Sequence, residues 1–495
     1  MMAAAARRSF VAQALSLASV PSPLPLPTPE PPVLLLNRIS FGIAGPELQR
    51  AGSIGVQAYV DEQLDYRSLD DSTLETRLAT RLPTLALSNA QLIDGYARND
   101  DNTVRRQPLL ELQTATLARA IFSPRQLFEV MVEFWSNHFN VTHTEGPARY
   151  YKTVDDREVI RAHALGKFSE LLRGSAQSPA MLHYLNNDTN IVDGPNENYA
   201  RELMELHTLG VGGGYSESDV REVARCFTGW SIDHRPGQST FRFYPARHDF
   251  GAKLVLGQSL AAGQGLADGL AVLDLLARHP ATAAAIATKL VRRFVADTPL
   301  PELVKRAAET FASTEGDIAA VLRVILTSAE FITSADAKFK RPIELLVSLL
   351  RGTAARLDGE DWVRRLEAQL SNLGQVPLYW PAPNGYPDVQ GYWLNTSALL
   401  ARWNLSSALL ENRLSPAIAV DVAQLAGGAR TPRELVDSLS ARLLRRPLSE
   451  RDRRTVIDFA ADGGADDSTL SGSSLQQARR DVASLLLASA YFQYR

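Results

Sequence analysis

The sequence predicts a mainly α fold, a compact multi-helical body with little strand. Three observations carry this. Ala, Leu and Arg are abundant, a mix that favours helices. Segments with apolar residues at helical spacing repeatedly follow Ser, Asp or Pro start signals. Few segments alternate apolar and polar residues with period two, so an all-α reading is preferred over α/β. The chain has 495 residues and is 45% hydrophobic, enough for a core and for two or three domains. With 52 basic against 55 acidic residues, no net field recruits nucleic acid or anionic membrane. Cys226 is the only cysteine, which excludes an intrachain disulfide and a thiolate metal cluster.

Taken in order, Arg7 and Arg8 precede Phe10 and a weakly apolar run to Val20, which reads as a short twin-arginine export signal. The bland alternative is an alanine-rich start without fixed structure. The expected location is periplasmic or extracellular, or cytoplasmic if the signal is not used. Pro21 to Pro32 alternates proline with Leu, Ser and Thr and forms a stiff tether. This divides the chain into a signal and tether (1–32), a main helical domain (33–355) and a C-terminal helical part packed on it (356–495). No segment offers eighteen uncharged apolar residues, so no membrane span is expected.

Pro46 to Leu64 predicts a helical hairpin broken near Gly52 to Gly55, and Leu110 to Ile121 a helix. Ser123, Pro124 and Gln126 read as a capping box opening a helix to Phe139. Thr142 to Thr153 is expected as a loop, with Asp155 capping a helix to Arg173. Ser216 and Asp219 form another capping box, and Phe241 to Tyr244 is the best strand candidate. His279 and Pro280 open a helix to Val295; Asp317 to Phe331 is helical, and Pro342 begins another. Residues 373–394 are different: proline, glycine and exposed-looking aromatics form an irregular loop long enough to need a reason. The endings AVLRVILTSAEF and VASLLLASAYFQYR echo each other, which suggests two helical pseudo-repeats.

The stretch Asn196 to Tyr215 reads as one helix ended by glycines. At about 100° per residue it has two unlike faces. Tyr199, Leu203, Met204 and His207 share the apolar one; Asn198, Arg201, Glu202 and Glu205 share the polar one. The polar face is either a solvated i,i+4 charge ladder or the lining of a site. If enclosed, repulsion between Glu202 and Glu205 raises one pKa, and the pair can divide acid and base roles. His207 is weighed mainly as a satisfied core histidine. His138 stands at a helix end beside Trp135 and Asn137, and His248, Asp249 and Lys253 fall within six residues of a glycine-flanked loop.

Several phrases read together: FWSNHF at Phe134, SPAMLHYL at Ser178, NENYARELMELHTLGV at Asn196, RHDFGAK at Arg247 and KRPIELLVSLLR at Lys340. They resemble the bacterial family grouped as domain of unknown function 1800, from about Leu35 to Arg495. The resemblance implies a predominantly helical protein, often exported, whose genes commonly accompany a sulfatase-like family. It implies no substrate. Cys226 stands where a small apolar residue is usual, and Asn186–Asn187 where an aspartate after the leucine is usual.

There is no His-Glu-x-x-His, no phosphate-binding loop and no Gly-x-Ser-x-Gly elbow. The expected function is a hydrolase or lyase acting on an extracellular carbohydrate polymer by carboxylate acid–base chemistry. Its expected catalytic residues are Glu202, Glu205, His138, His248 and Asp249 around one cavity. Asn198, Arg201, Trp135, Asn137, Lys253, Tyr379 and Trp380 are expected to bind substrate. A divalent metal such as zinc or manganese suits these oxygen and imidazole groups, with no coordination geometry specified. The alternative is a non-catalytic scaffold or binding subunit for a sulfatase-like partner.

Overall fold

A computed structural model describes residues 26–143, 146–359 and 362–495. The export segment around Arg7 and Arg8 lies outside the described residues. The protein is mainly α: helices dominate, and the strands of the described residues form three two-stranded antiparallel ribbons. One contiguous apolar cluster runs from Val33 to Phe492 and includes residues on both sides of position 356. Among the described residues, no single helix is long and apolar enough to cross a membrane.

The longer helices are labelled in chain order. Helix α1 (Pro31–Ile39) buries Leu34 to Leu36 and Ile39. The hairpin after it breaks at Gly55, between Gly45–Ile54 and Val56–Leu64. Helix α2 (Asn102–Phe122) is longer than expected, with Pro108 inside it. Helix α3 (Gln126–His138) starts two residues later than Pro124. The expected capping box does not form, because both side chains serve tertiary partners. Ser123 donates to Asp71 Oδ2 at 2.6 Å, and Gln126 accepts from Phe41 N–H at 3.1 Å.

The expected loop at 142–153 is partly helical: α4 (Ala148–Asp155) buries Tyr150 and Tyr151, and this packing overrides the local signal. Asp155 is not a cap. Its carboxylate lies inside, taking Lys152 Nζ at 2.7 Å and Ser178 Oγ at 2.7 Å. The chain continues through a π-helical turn, Asp156–Ile160, then α5 (Phe168–Gln177) and α6 (Pro179–Tyr184). The central stretch gives α7 (Asn198–Glu202), another π turn (Leu203–His207) and the glycine loop. The capping box at Ser216 forms and opens α8 (Glu217–Cys226).

Strand β1 (Trp230–Ile232) pairs with β2 (Phe241–Phe243), where a strand was expected; β3 (Lys253–Val255) pairs with β4 (Gln258–Leu260). Helices α9 (Leu266–Arg278) and α10 (Pro280–Phe294) follow, the second opened by His279, whose Nδ1 accepts from Ala281 N–H at 3.1 Å. Next come α11 (Pro301–Ser313), α12 (Ile318–Leu326) and α13 (Pro342–Gly352). The C-terminal part holds β5 (Arg356–Leu357), α14 (Trp362–Asn372), α15 (Thr396–Leu410), β6 (Ile418–Ala419) and α16 (Val422–Ala426). It ends with α17 (Pro432–Leu443), α18 (Glu450–Ala461) and α19 (Gly472–Ala488). The order α10–α11–α12 then a short helix after Ser328 is repeated by α17–α18–α19 and a short helix after Ser489.

An ionic hub closes the core. Glu344 on α13 takes Arg293, Arg341 at 3.1 Å and Arg495 at 3.0 Å, all buried. Arg38 donates to the carbonyls of Phe294 and Val295 at 2.7 Å.

Candidate functional site

The polar side of the central helix keeps a carboxylate pair. Glu202 and Glu205 are half-buried, and among the described residues neither has a hydrogen bond or ion pair. Burial, then the neighbouring Glu205, pushes the Glu202 carboxyl above the usual range, against a smaller pull from Arg201. The glycine loop returns Tyr215 to the pair, and burial followed by the Glu205 charge pushes its phenol up. Tyr215 was not singled out from sequence, although its place directly after three glycines was the available signal. Arg201 acts on this pair only through its charge, with no hydrogen bond to it. It bridges Glu217 at 2.8 Å and Glu197 at 3.0 Å as a surface ladder. Asn198 donates to Leu185 O at 3.3 Å and to Asn186 Oδ1 at 3.4 Å.

Through Asn186 the strip reaches an imidazole that sequence reasoning also passed over. His183 Nδ1 lies 3.0 Å from Asp188 Oδ2; the aspartate is largely buried and the ring about one-third exposed. A carboxylate that orients a partly exposed imidazole leaves the other ring nitrogen available for proton transfer. The signal was HYLNND, five residues from imidazole to carboxylate.

His138 lies in a different environment. A π turn ends the central helix and leaves its last carbonyls without helical donors. His138 Nε2 meets the carbonyl of His207 at 3.1 Å, and Lys289 Nζ donates to the carbonyl of Leu206 at 2.8 Å and to His138 Nδ1 at 3.0 Å. A carbonyl only accepts, so the neutral ring carries its proton on Nε2 and accepts the ammonium at Nδ1. Burial, then Lys289, holds His138 well below the usual histidine range, and burial lowers His207 to about 3. These groups cap the helix from inside the core.

Burial lowers the Lys289 ammonium to about 8. Its ordinary value in an unfolded chain is about 10.4. Between those values the unfolded state binds more protons, so this group makes stability rise with pH, and below about 8 its contribution is flat. The wild type is therefore expected to gain on Lys289→Met between pH 8 and 10 in urea unfolding, where other titrations cancel in the difference. A constant difference across that window refutes the assignment.

His248 belongs to a second buried cluster. Its Nδ1 donates to the carbonyl of Thr228 at 2.7 Å, and its Nε2 lies 3.0 Å from Asp268 Oδ2. Lys253 donates to the same oxygen at 2.8 Å. Asp249 turns the other way and is held by Arg225 at 2.7 Å. No hydrogen bond joins His138, His248 or Lys253 to Glu202 or Glu205. Among the described residues, no group of three or more His, Cys, Asp or Glu side chains is arranged to hold a metal ion.

The residues expected to bind substrate divide in two. Trp135 is fully buried and donates to Ala164 O at 2.9 Å. Asn137 pairs with the backbone of Tyr386 in both directions, at 2.8 and 2.7 Å. Asn140, Gln113 and Tyr184 also hold carbonyls of the 373–394 loop. Beneath it lies a cavity of about 50 Å³, lined by Glu129, Glu133, Asp156 and Arg161 among others, with room for little more than water. Glu133 is ion-paired with Arg341 at 2.7 Å. The loop's aromatics are mostly structural: Tyr386 and Trp393 are buried. Tyr379 and Tyr392 remain about half exposed, and Trp380 packs edge-on against Tyr392 at 5.9 Å.

Residues 34–494 match the family described as "Protein of unknown function (DUF1800)". No curated protein matches the chain. No solved structure matches it.

Proposed function

The chain belongs to the DUF1800 family, and from that premise we propose that it is an exported enzyme, a lyase or hydrolase acting on an extracellular carbohydrate polymer. The observation that carries this reading is the Glu202–Glu205 pair. Both carboxyls are half-buried and form no ion pair among the described residues, while Asp249 and Glu133 are each committed to an arginine. Glu202 keeps its proton to higher pH and serves as the acid; Glu205 takes the proton from the substrate. Three residues apart on one helix, the two carboxyls act from the same side of a bond. Hydrolysis needs carboxyls flanking the bond on opposite sides, about 6.5–9.5 Å apart for inversion and about 5–5.5 Å for retention. The placement therefore supports elimination over displacement. In elimination, Glu205 removes a proton from the carbon beside a carboxyl group, the C–O bond to the next sugar breaks, and Glu202 protonates the departing oxygen. Tyr215 and Asn198 supply nearby hydrogen-bonding groups, and the exposed rings of Tyr379 and Tyr392 offer stacking surfaces.

The test is a screen of the purified protein on uronic, neutral and sulfated polysaccharides. Elimination generates an ultraviolet-absorbing double bond, whereas hydrolysis generates reducing ends alone. Glu205→Gln and Glu202→Gln are each expected to lower the rate by about 10²–10⁴-fold, the usual worth of a general acid or base. Activity retained in both variants rejects the site.

A second reading is a non-catalytic binding subunit for a sulfatase-like partner. The exposure of Val211, 82% at the tip of the glycine loop, favours it, because that tip stands clear of the body. Retention of a polymer or partner without any turnover supports this reading over the first.

A further inference from the structure

A cavity lies far along the chain from the central helix, where β5, β6, α16, α17 and α19 meet. Its volume is about 590 Å³, within the range of small-ligand sites. Buried Leu425 and Val422 line its apolar part. One wall is set by Asn412, whose amide pairs with Val420 in both directions, at 3.2 and 2.7 Å.

Three arginines line it: Arg356, Arg442 and Arg480. Arg356 is paired with Asp358 at 2.6 Å. Arg442 and Arg480 form no ion pair among the described residues, although Asp481 lies close enough for its carboxyl to feel the Arg480 charge. This differs from their neighbours. Arg433 is held by Asp466 and Asp467, Arg453 by Asp437, Arg454 by Asp466, and Arg446 by Asp336. Arg445 and Arg479 also lack an ion pair among the described residues but do not line this cavity; Arg442 and Arg480 are the two that do. The lining carboxylate, Asp421, is engaged as the cap of α16, accepting from Gln424 N–H at 2.9 Å. The side-chain amides of Gln424 and Gln476 have no protein partner among the described residues.

We infer that this cavity binds a small sugar-like ligand carrying an oxyanion. A guanidinium presents its N–H groups in a planar fork that matches a carboxylate, sulfate or phosphate. Two such forks suit one oxyanion, and the two glutamine amides suit hydroxyl groups on the body of the ligand. The inference does not depend on the Glu202–Glu205 reading.

The test is calorimetric titration of the full chain with glucuronate, glucose 6-sulfate and glucose 6-phosphate, with glucose as the neutral control. At least one of the three anions is expected to saturate one site, more weakly as salt rises; which one does so identifies the oxyanion. Arg442→Gln and Arg480→Gln are each expected to weaken binding on the order of tenfold. Arg433→Gln, outside the cavity, is expected to leave it unchanged. Both cavity arginines are exposed, so circular dichroism melts matching wild type verify that their variants fold. The inference is overturned if no anion saturates, if glucose binds as well, or if the double variant binds like wild type.

Discussion

Glu344→Gln is expected to destabilise the protein by about 3–5 kcal/mol, the usual result of removing one member of a buried ion pair. The carboxylate meets Arg293, Arg341 and Arg495, and all four side chains are nearly inaccessible to water. Glutamine keeps the shape and removes the charge, so Arg293 and Arg495 remain buried without an ion pair, while Arg341 keeps Glu133. Urea unfolding measures the loss, and a change under about 1 kcal/mol refutes the hub as a stabilising unit. The pH dependence has a definite sign. Arg293, with Arg495 and Arg341, holds Glu344 well below the usual carboxylate range, despite burial. A lowered native pKa gives stability that is present above the unfolded value of about 4.3 and is lost as pH falls through the native value. The variant is expected to lack this part of the acid transition.

Gly385→Ala is expected to unseat the aromatic loop. Gly385 has φ +68°, and a Cβ placed there falls 2.2 Å from the carbonyl oxygen of Asn137. Neither partner yields cheaply: one is backbone at the end of α3, and the other is fixed by the Asn137–Tyr386 pair. Left-handed backbone and steric overlap together cost about 2–4 kcal/mol. The expected result is proteolytic cleavage within 373–394 and altered tryptophan fluorescence from Trp380 and Trp393, while the far-ultraviolet helical signal persists. A loop as protease-resistant as in wild type contradicts the pinning role.

These two predictions differ in what the sequence could reveal. The loop's irregularity was visible in its prolines and glycines. That Asn137 and Asn140 anchor it was not, because those contacts span about 240 positions. The same limit hid the hub and the arginine held by Glu133, 208 residues away. Local signals carried far: the Ser216 cap, the His279–Pro280 start and the glycine stop of the central helix stand where their residues place them. They failed where tertiary packing outweighed them, as at Ser123, which bonds to Asp71, and Asp155, which takes Ser178. The π turns at Asp156 and Leu203 add a residue to a helix without any compositional mark. The second turn changes the bearing of everything after Glu202. A straight 3.6-residue wheel therefore places Glu205 and His207 only roughly, and it missed that Tyr215 returns to the carboxylates.

The hub also has a consequence for the order of folding. Arg495 donates to the carbonyl of Arg38, 457 residues away, while Glu344 leaves the ribosome well before it. At about 5–20 residues per second, the glutamate waits on the order of ten seconds for its last cation. During that interval Glu344 lacks the Arg495 guanidinium. Contacts of such long separation make closure the slow step, because their entropy is lost before their energy is gained. Closure of the core is thus expected as one late event, after Arg495 has emerged, that joins Arg38, Glu344 and Arg495.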